Sequence, residues 1–263
     1  MAAPALTVTD AQLSQWMADF FWPLLRIGAL IMAAPVLNIR QIPTRFKVLL
    51  AVLITWLVAP LLPPMPVVDT FGAQALLIAA QQLAIGVAIG FLLQLVFGAL
   101  VFGGQIMAYS MGLGFAHMMD PQNGVQIPVV SQYWMILAML AFLLSNGHLV
   151  LIGLLADSFT VLPVAADGLS RAGIWELVAW AGRMFAAGVA MALPVLVSLL
   201  LVNIGMGVVT RAAPQLNIFA VGFPVTLAMG FLLMWATVPQ VINAFGDLVQ
   251  EAFVQSGRIL TLR

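Results

Sequence analysis

The chain has 263 residues, of which 63% are hydrophobic and 7% charged, with zero net charge, a mean hydropathy of +1.13 and no cysteine. Soluble domains run near half apolar and a quarter charged, so lipid is the default solvent for such a composition. It excludes the basic footprint of a nucleic-acid binder, and the lack of cysteine excludes disulfides, thiolate metal sites and thiol nucleophiles.

Charges are absent from positions 70–119, 121–156, 184–210 and 212–246, and each gap exceeds the roughly 20 residues that cross a hydrocarbon core. The N-terminal MAAPALTVTDAQLSQ lacks a basic n-region and is read as mature protein rather than a cleaved signal. A first apolar segment runs from about Trp16 to Leu37 and ends in NIRQIPTRFK, whose Arg40, Arg45 and Lys47 assign that loop to the cytoplasm under the positive-inside rule, with both termini outward. A second, Phe46 to Leu62, stops at PPMPVVDT, where three prolines cannot continue a helix.

The third segment, Phe71 to about Met111, measures about 60 Å as a straight helix, twice the hydrocarbon thickness. Within it Gln82, Gly86, Gly90, Gln94 and Gly98 recur at i+4, a small-residue face expected to pack closely on helices of this chain or of another subunit. A fourth segment, Val129 to Leu155, is interrupted at Ser145 to His148, and a polar link covers Asp157 to Glu176. Two long runs follow, Leu177 to Val209 and Ile218 to Val254, expected to kink at their prolines and glycines. They are joined by TRAAPQLN, where Pro214 favours a helix exit and Asn217 can cap the next helix. The fold class is an all-α integral membrane-type protein of about six long, kinked apolar helices.

Enzyme signatures are missing: there is no HExxH, GxSxG, P-loop or dinucleotide glycine fingerprint. His117 and Asp120 lie three apart and are read as hydrogen-bonded trim, so no metal or cofactor is expected. Arg26 and Arg183 interrupt apolar segments and are functional suspects, whereas Asp19, Glu176, Asp247 and Glu251 are read as snorkelling at segment ends. Glu176 and Arg183 share a helical face and are expected in one polar network. Between Gly112 and Gly124 the sequence GLGFAHMMDPQNG reads as a loop: Gly112 and Gly114 open backbone shapes, Asp120-Pro121 and Asn123-Gly124 turn it, and Phe115, Met118 and Met119 give it a soft apolar surface.

Three stretches together, NIRQIPTRFK, MGLGFAHMMDPQNG and NIGMGVVTRAAPQLNIFAVGFP, resemble the FliR family, called SctT in injectisomes. The last is the most specific, with Arg211, Pro214-Gln215, Asn217 and Gly222-Phe223-Pro224, and the resemblance is closest to flagellar members. It implies a non-enzymatic subunit of the bacterial type III protein export gate in the inner membrane and flagellar basal body, built with FliP and FliQ, contacted by FlhB, and passing unfolded proteins. Residues 1–165 would be FliP-like and 166–263 a FliQ-like hairpin, in an assembly standing largely above the membrane plane. The loop from Gly112 to Gly124 would then plug the channel. A secondary transporter with broken membrane helices is the alternative, and it calls for paired interruptions in two related halves.

Overall fold

The structure is a computed structural model that describes residues 9–38, 42–68, 72–114, 129–213 and 218–262. Among them it holds seven α-helices and no strand: α1 (Asp10–Ala33), α2 (Thr44–Val58), α3 (Ala73–Ser110), α4 (Val129–Leu144), α5 (Gly147–Val161), α6 (Arg171–Ala212) and α7 (Ile218–Thr261). Five helices are long and apolar enough to cross a membrane, or six spans if the broken pair α4–α5 counts as one. At 1.5 Å per residue the 42 residues of α6 and the 44 of α7 extend about 63 and 66 Å, again about twice a hydrocarbon core.

Several boundaries differ from the hydropathy segments, each for a local polar reason. Helix α1 starts six residues before Trp16, because Thr9 and Gln12 form a reciprocal capping box: the Gln12 amide donates to Thr9 Oγ1 (3.4 Å) and the Thr9 amide to Gln12 Oε1 (3.1 Å). Helix α6 starts within the expected polar link, where the Gly173 amide donates to Ser170 Oγ at 3.0 Å. The last helix continues seven residues past Val254 to Thr261, where Gln255 and Arg258 reach Glu176. Both α6 and α7 run as continuous helices through Pro194, Pro224 and Pro239.

The chain forms two compact units that interleave along the sequence: residues 1–94, 148–179 and 252–263 in the first, 95–147 and 180–251 in the second. This grouping by contact cuts across the 1–165 and 166–263 division, which is one of resemblance. In the first unit Trp22, Ile27, Leu30, Ile78, Ile85 and Phe159 are buried, and Trp22 donates its indole N–H to the Pro66 carbonyl (3.2 Å). In the second, Phe97 stands edge-on to Phe142 and Phe245, with centroids 6.0 and 5.2 Å away.

Helix α3 is the most enclosed. Its most apolar window is 67% buried by the chain itself, against 22–44% for the other four helices that qualify as spans. Those others present large apolar side chains outward, Trp56, Leu57, Trp175, Leu201 and Trp235 each more than 60% exposed. Apolar faces on this scale need cover from lipid or protein.

Candidate functional site

Arg26 is the centre of the first unit. It sits in α1 with no exposed surface and holds three helices together. Its Nε donates to Gln82 Oε1 of α3 at 2.8 Å, its Nη1 to the Ser158 carbonyl (2.8 Å) and Oγ (3.0 Å) of α5, and its Nη2 to the Leu162 carbonyl at 2.9 Å. The guanidinium carbon lies 4.1 Å from the centroid of the Phe159 ring. These acceptors are neutral, and what opposes the charge is position. Ser158 and Leu162 mark the C-terminal end of α5, where unpaired carbonyls concentrate the negative end of the helix dipole. Because Gln82 Oε1 faces the Arg26 donor, its Nε2 is fixed as a donor, and that buried atom has no acceptor among the described residues.

The i+4 row divides along α3. Four residues advance about 400°, so each step overshoots a full turn by about 40° and the row from 82 to 98 rotates by about 160°. Gly86 and Gly90 lie against α1: a Cβ on Gly86 would overlap the Arg26 carbonyl, and one on Gly90 would stand 2.6 Å from Ala33 Cβ. Gln94 is exposed, and in the second unit Gly98 faces Met184 of α6. A glycine-to-glycine crossing follows, which the row did not reach. A Cβ on Gly103 would come within 2.7 Å of the Gly188 carbonyl, and one on Gly188 within 2.7 Å of the Ala99 carbonyl.

At the C-terminus of α3 the chain makes a Schellman turn. Gly112 has φ +84°, the Leu113 amide donates to the Ala108 carbonyl (3.0 Å) and the Gly112 amide to the Tyr109 carbonyl (3.0 Å). The bare Cα of Gly112 faces the Phe223 ring of α7, and a Cβ there would sit 3.1 Å from Phe223 Cδ2. Met111, with no exposed surface, lies over the bare backbone of Gly230, two turns further along α7. Gly114 packs beside Tyr109. The loop residues Phe115, His117, Met118, Met119, Asp120, Pro121, Asn123 and Gly124 fall outside the described residues, as do Pro214, Gln215 and Asn217 of the hairpin turn. Arg211 is exposed in the last turn of α6, where a cation suits the helix dipole.

The expected Glu176–Arg183 network resolves into two separate partnerships between α6 and α7. Glu176, in the first unit, takes a hydrogen bond from Gln255 Nε2 (3.1 Å) and stands 3.5 Å from Arg258. Arg183, in the second, makes a two-pronged bridge to Glu251 at 2.8 and 2.7 Å. Arg183 lies seven residues after Glu176 and Glu251 seven before Arg258, as an antiparallel helix pair requires. A shared face therefore gave each acid and base an opposite partner on α7 rather than one another. Beside the second bridge is an open cavity of about 520 Å³ between Ala186, Ala187 and Ala190 of α6 and Val241, Ala244 and Asp247 of α7. Asp19 is not at a free interface either: its carboxylate accepts from the Met65 amide (2.9 Å) and Gln15 Nε2 (2.7 Å), holding the PPMP segment to α1.

The model of the family described as Bacterial export proteins, family 1, matches residues 17–252. The chain belongs to that family. It is 42% identical over 248 residues to the flagellar biosynthetic protein FliR of Escherichia coli (strain K12), covering 94% of this chain and 95% of the relative. The FliR of Pectobacterium carotovorum subsp. carotovorum is 41% identical, with 97% and 98% covered, and that of Bacillus subtilis (strain 168) 27% identical, with 82% and 84% covered. The family match takes in Arg26, the whole of α3 and the Schellman turn, both bridging residues of α6 and α7, and the contact of Phe223 with Gly112.

Proposed function

We propose that the chain is a FliR subunit of the flagellar protein export gate in the bacterial inner membrane, at the base of the flagellum, and acts without enzymatic chemistry. The observation that carries this reading is the 42% identity to a flagellar biosynthetic FliR over 94% of the chain. The exposed apolar faces of α2, α6 and α7 support it physically, because they ask for more cover than one chain supplies. The partners are FliP and FliQ, with FlhB in contact, and unfolded proteins pass through the channel they enclose. Residues 1–165 act as a FliP-like part and 166–263 as a FliQ-like hairpin.

The loop from Gly112 to Gly124 serves as the plug of that channel, with Gly112 and Gly114 at its root and Met118 and Met119 as deformable seal. Coexpression with FliP and FliQ, followed by the mass of the intact purified complex, tests the assignment. One defined hetero-oligomer is expected, and a chain that purifies stably alone while ignoring FliP and FliQ refutes it. Deleting residues 112–124 is expected to raise ion leakage through the assembled gate, and unchanged conductance removes the plug role.

A further inference from the structure

From the contacts at the end of α3, we infer that Phe223 is a positioning residue for the gate loop, fixing its root to the N-terminal part of α7. The inference rests on the plug reading above. Two adjacent residues of the α3 terminus meet α7 at two points: Gly112 against the Phe223 ring and Met111 against Gly230. Positions 223 and 230 are seven apart and share one face of α7, about 10 Å along its axis. One contact would leave a pivot, whereas two contacts along a rigid helix set direction as well as place. Glycine is favoured twice over at position 112, because φ +84° disfavours a side chain and a Cβ would crowd the ring at 3.1 Å. On α7 the absence of a side chain at Gly230 lets Met111 lie on the backbone with no surface exposed. The root of the loop, Met111 and Gly112, is thereby carried by α7.

The whole gate, assembled with FliP and FliQ, is the object to test, with ion leakage and substrate export as readouts. Phe223→Ala is expected to raise leakage about tenfold, equal to ~1.4 kcal/mol of closed-state preference, and Phe223→Leu to restore most of the seal. The chain contains no cysteine, so a Met111→Cys/Gly230→Cys pair can be oxidised without competition from other thiols of this chain. A Cβ on Gly230 would lie 2.5 Å from Met111 Cγ, which leaves the two Cβ atoms within about 4 Å, a spacing a disulfide accepts. Because root and helix move together, the oxidised gate is expected to export as well as the reduced one.

Leakage of Phe223→Ala at the wild-type level, in a gate where deleting 112–124 does leak, overturns the inference and leaves the plug reading standing. Export abolished by oxidation and restored by reductant also overturns it. If neither the deletion nor the substitution leaks, the plug reading falls and the inference with it.

Discussion

Replacing Arg26 by Met keeps the unbranched stem of the side chain and removes every donor. Among the described residues two acceptors then lose their partner: Gln82 Oε1, which is buried, and the Leu162 carbonyl, which is half-buried. The Ser158 groups fare better, since its carbonyl still accepts from the Leu162 amide (3.0 Å) and its hydroxyl still donates to the Leu155 carbonyl (2.6 Å). At about 1–3 kcal/mol for each orphaned group, less for the half-buried one and with some relief from no longer burying a charge, the net loss is about 2–4 kcal/mol. For a chain of this size that lowers the melting temperature by roughly 10 °C. The assay is thermal unfolding of the purified wild-type and Arg26→Met chains in detergent, each in complex with its partners. A melting point within two or three degrees of wild type, about 1 kcal/mol, would refute the view of Arg26 as the tie among α1, α3 and α5.

Gln82 gives a paired test: Gln82→Glu removes the orphaned Nε2 and leaves an acceptor on Arg26, whereas Gln82→Leu strips Nε of its partner, so the Glu variant should melt above the Leu variant by the equivalent of ~2 kcal/mol or more. Gly90→Ala drives a Cβ into Ala33 and is expected to cost about 1–3 kcal/mol, while Gly182→Ala, with nothing within 4 Å, should gain up to about 1 kcal/mol in the isolated chain. Loss of complex assembly in that stabilised Gly182→Ala chain would mark the position as covered by a partner. Arg183→Ala should lose no more than about 1 kcal/mol despite its two short hydrogen bonds, because both side chains are well exposed, and the loss should shrink in high salt.

Hydropathy made the long helices plain, and the glycine at 112 was a readable stop for α3, because a left-handed C′ position selects it. What it missed were polar ends. The Thr9 to Gln12 box and Ser170 were legible as caps, yet they lie outside the apolar runs that guided the segmentation. The far end of α7 was hidden for another reason: Gln255, Ser256, Gly257 and Arg258 read locally as a stop, and only the distant Glu176 explains why helix continues. Arg26 stood out as a charge in an apolar run, but its acceptors are a glutamine amide, a serine hydroxyl and two main-chain oxygens, groups without a distinguishing pattern in sequence. The row of glycines showed closeness without direction. Its drift around α3 decided that Gly86 and Gly90 meet α1, and the Gly103–Gly188 crossing carried no periodic signal.

The distance in sequence between Arg26 and the residues that accept its hydrogen bonds, 132 to Ser158 and 136 to Leu162, also orders events at birth. At a synthesis rate of about 5–20 residues per second, the first helix exists for some ten seconds before its acceptors on the fifth have been made. An unpaired arginine at the centre of a spanning helix is disfavoured by about 3 kcal/mol, so the first helix is expected to stay at the water boundary or sheltered until the later segment arrives. Nascent chains halted ahead of Ser158 should leave position 26 open to a water-soluble label, and longer ones should close it.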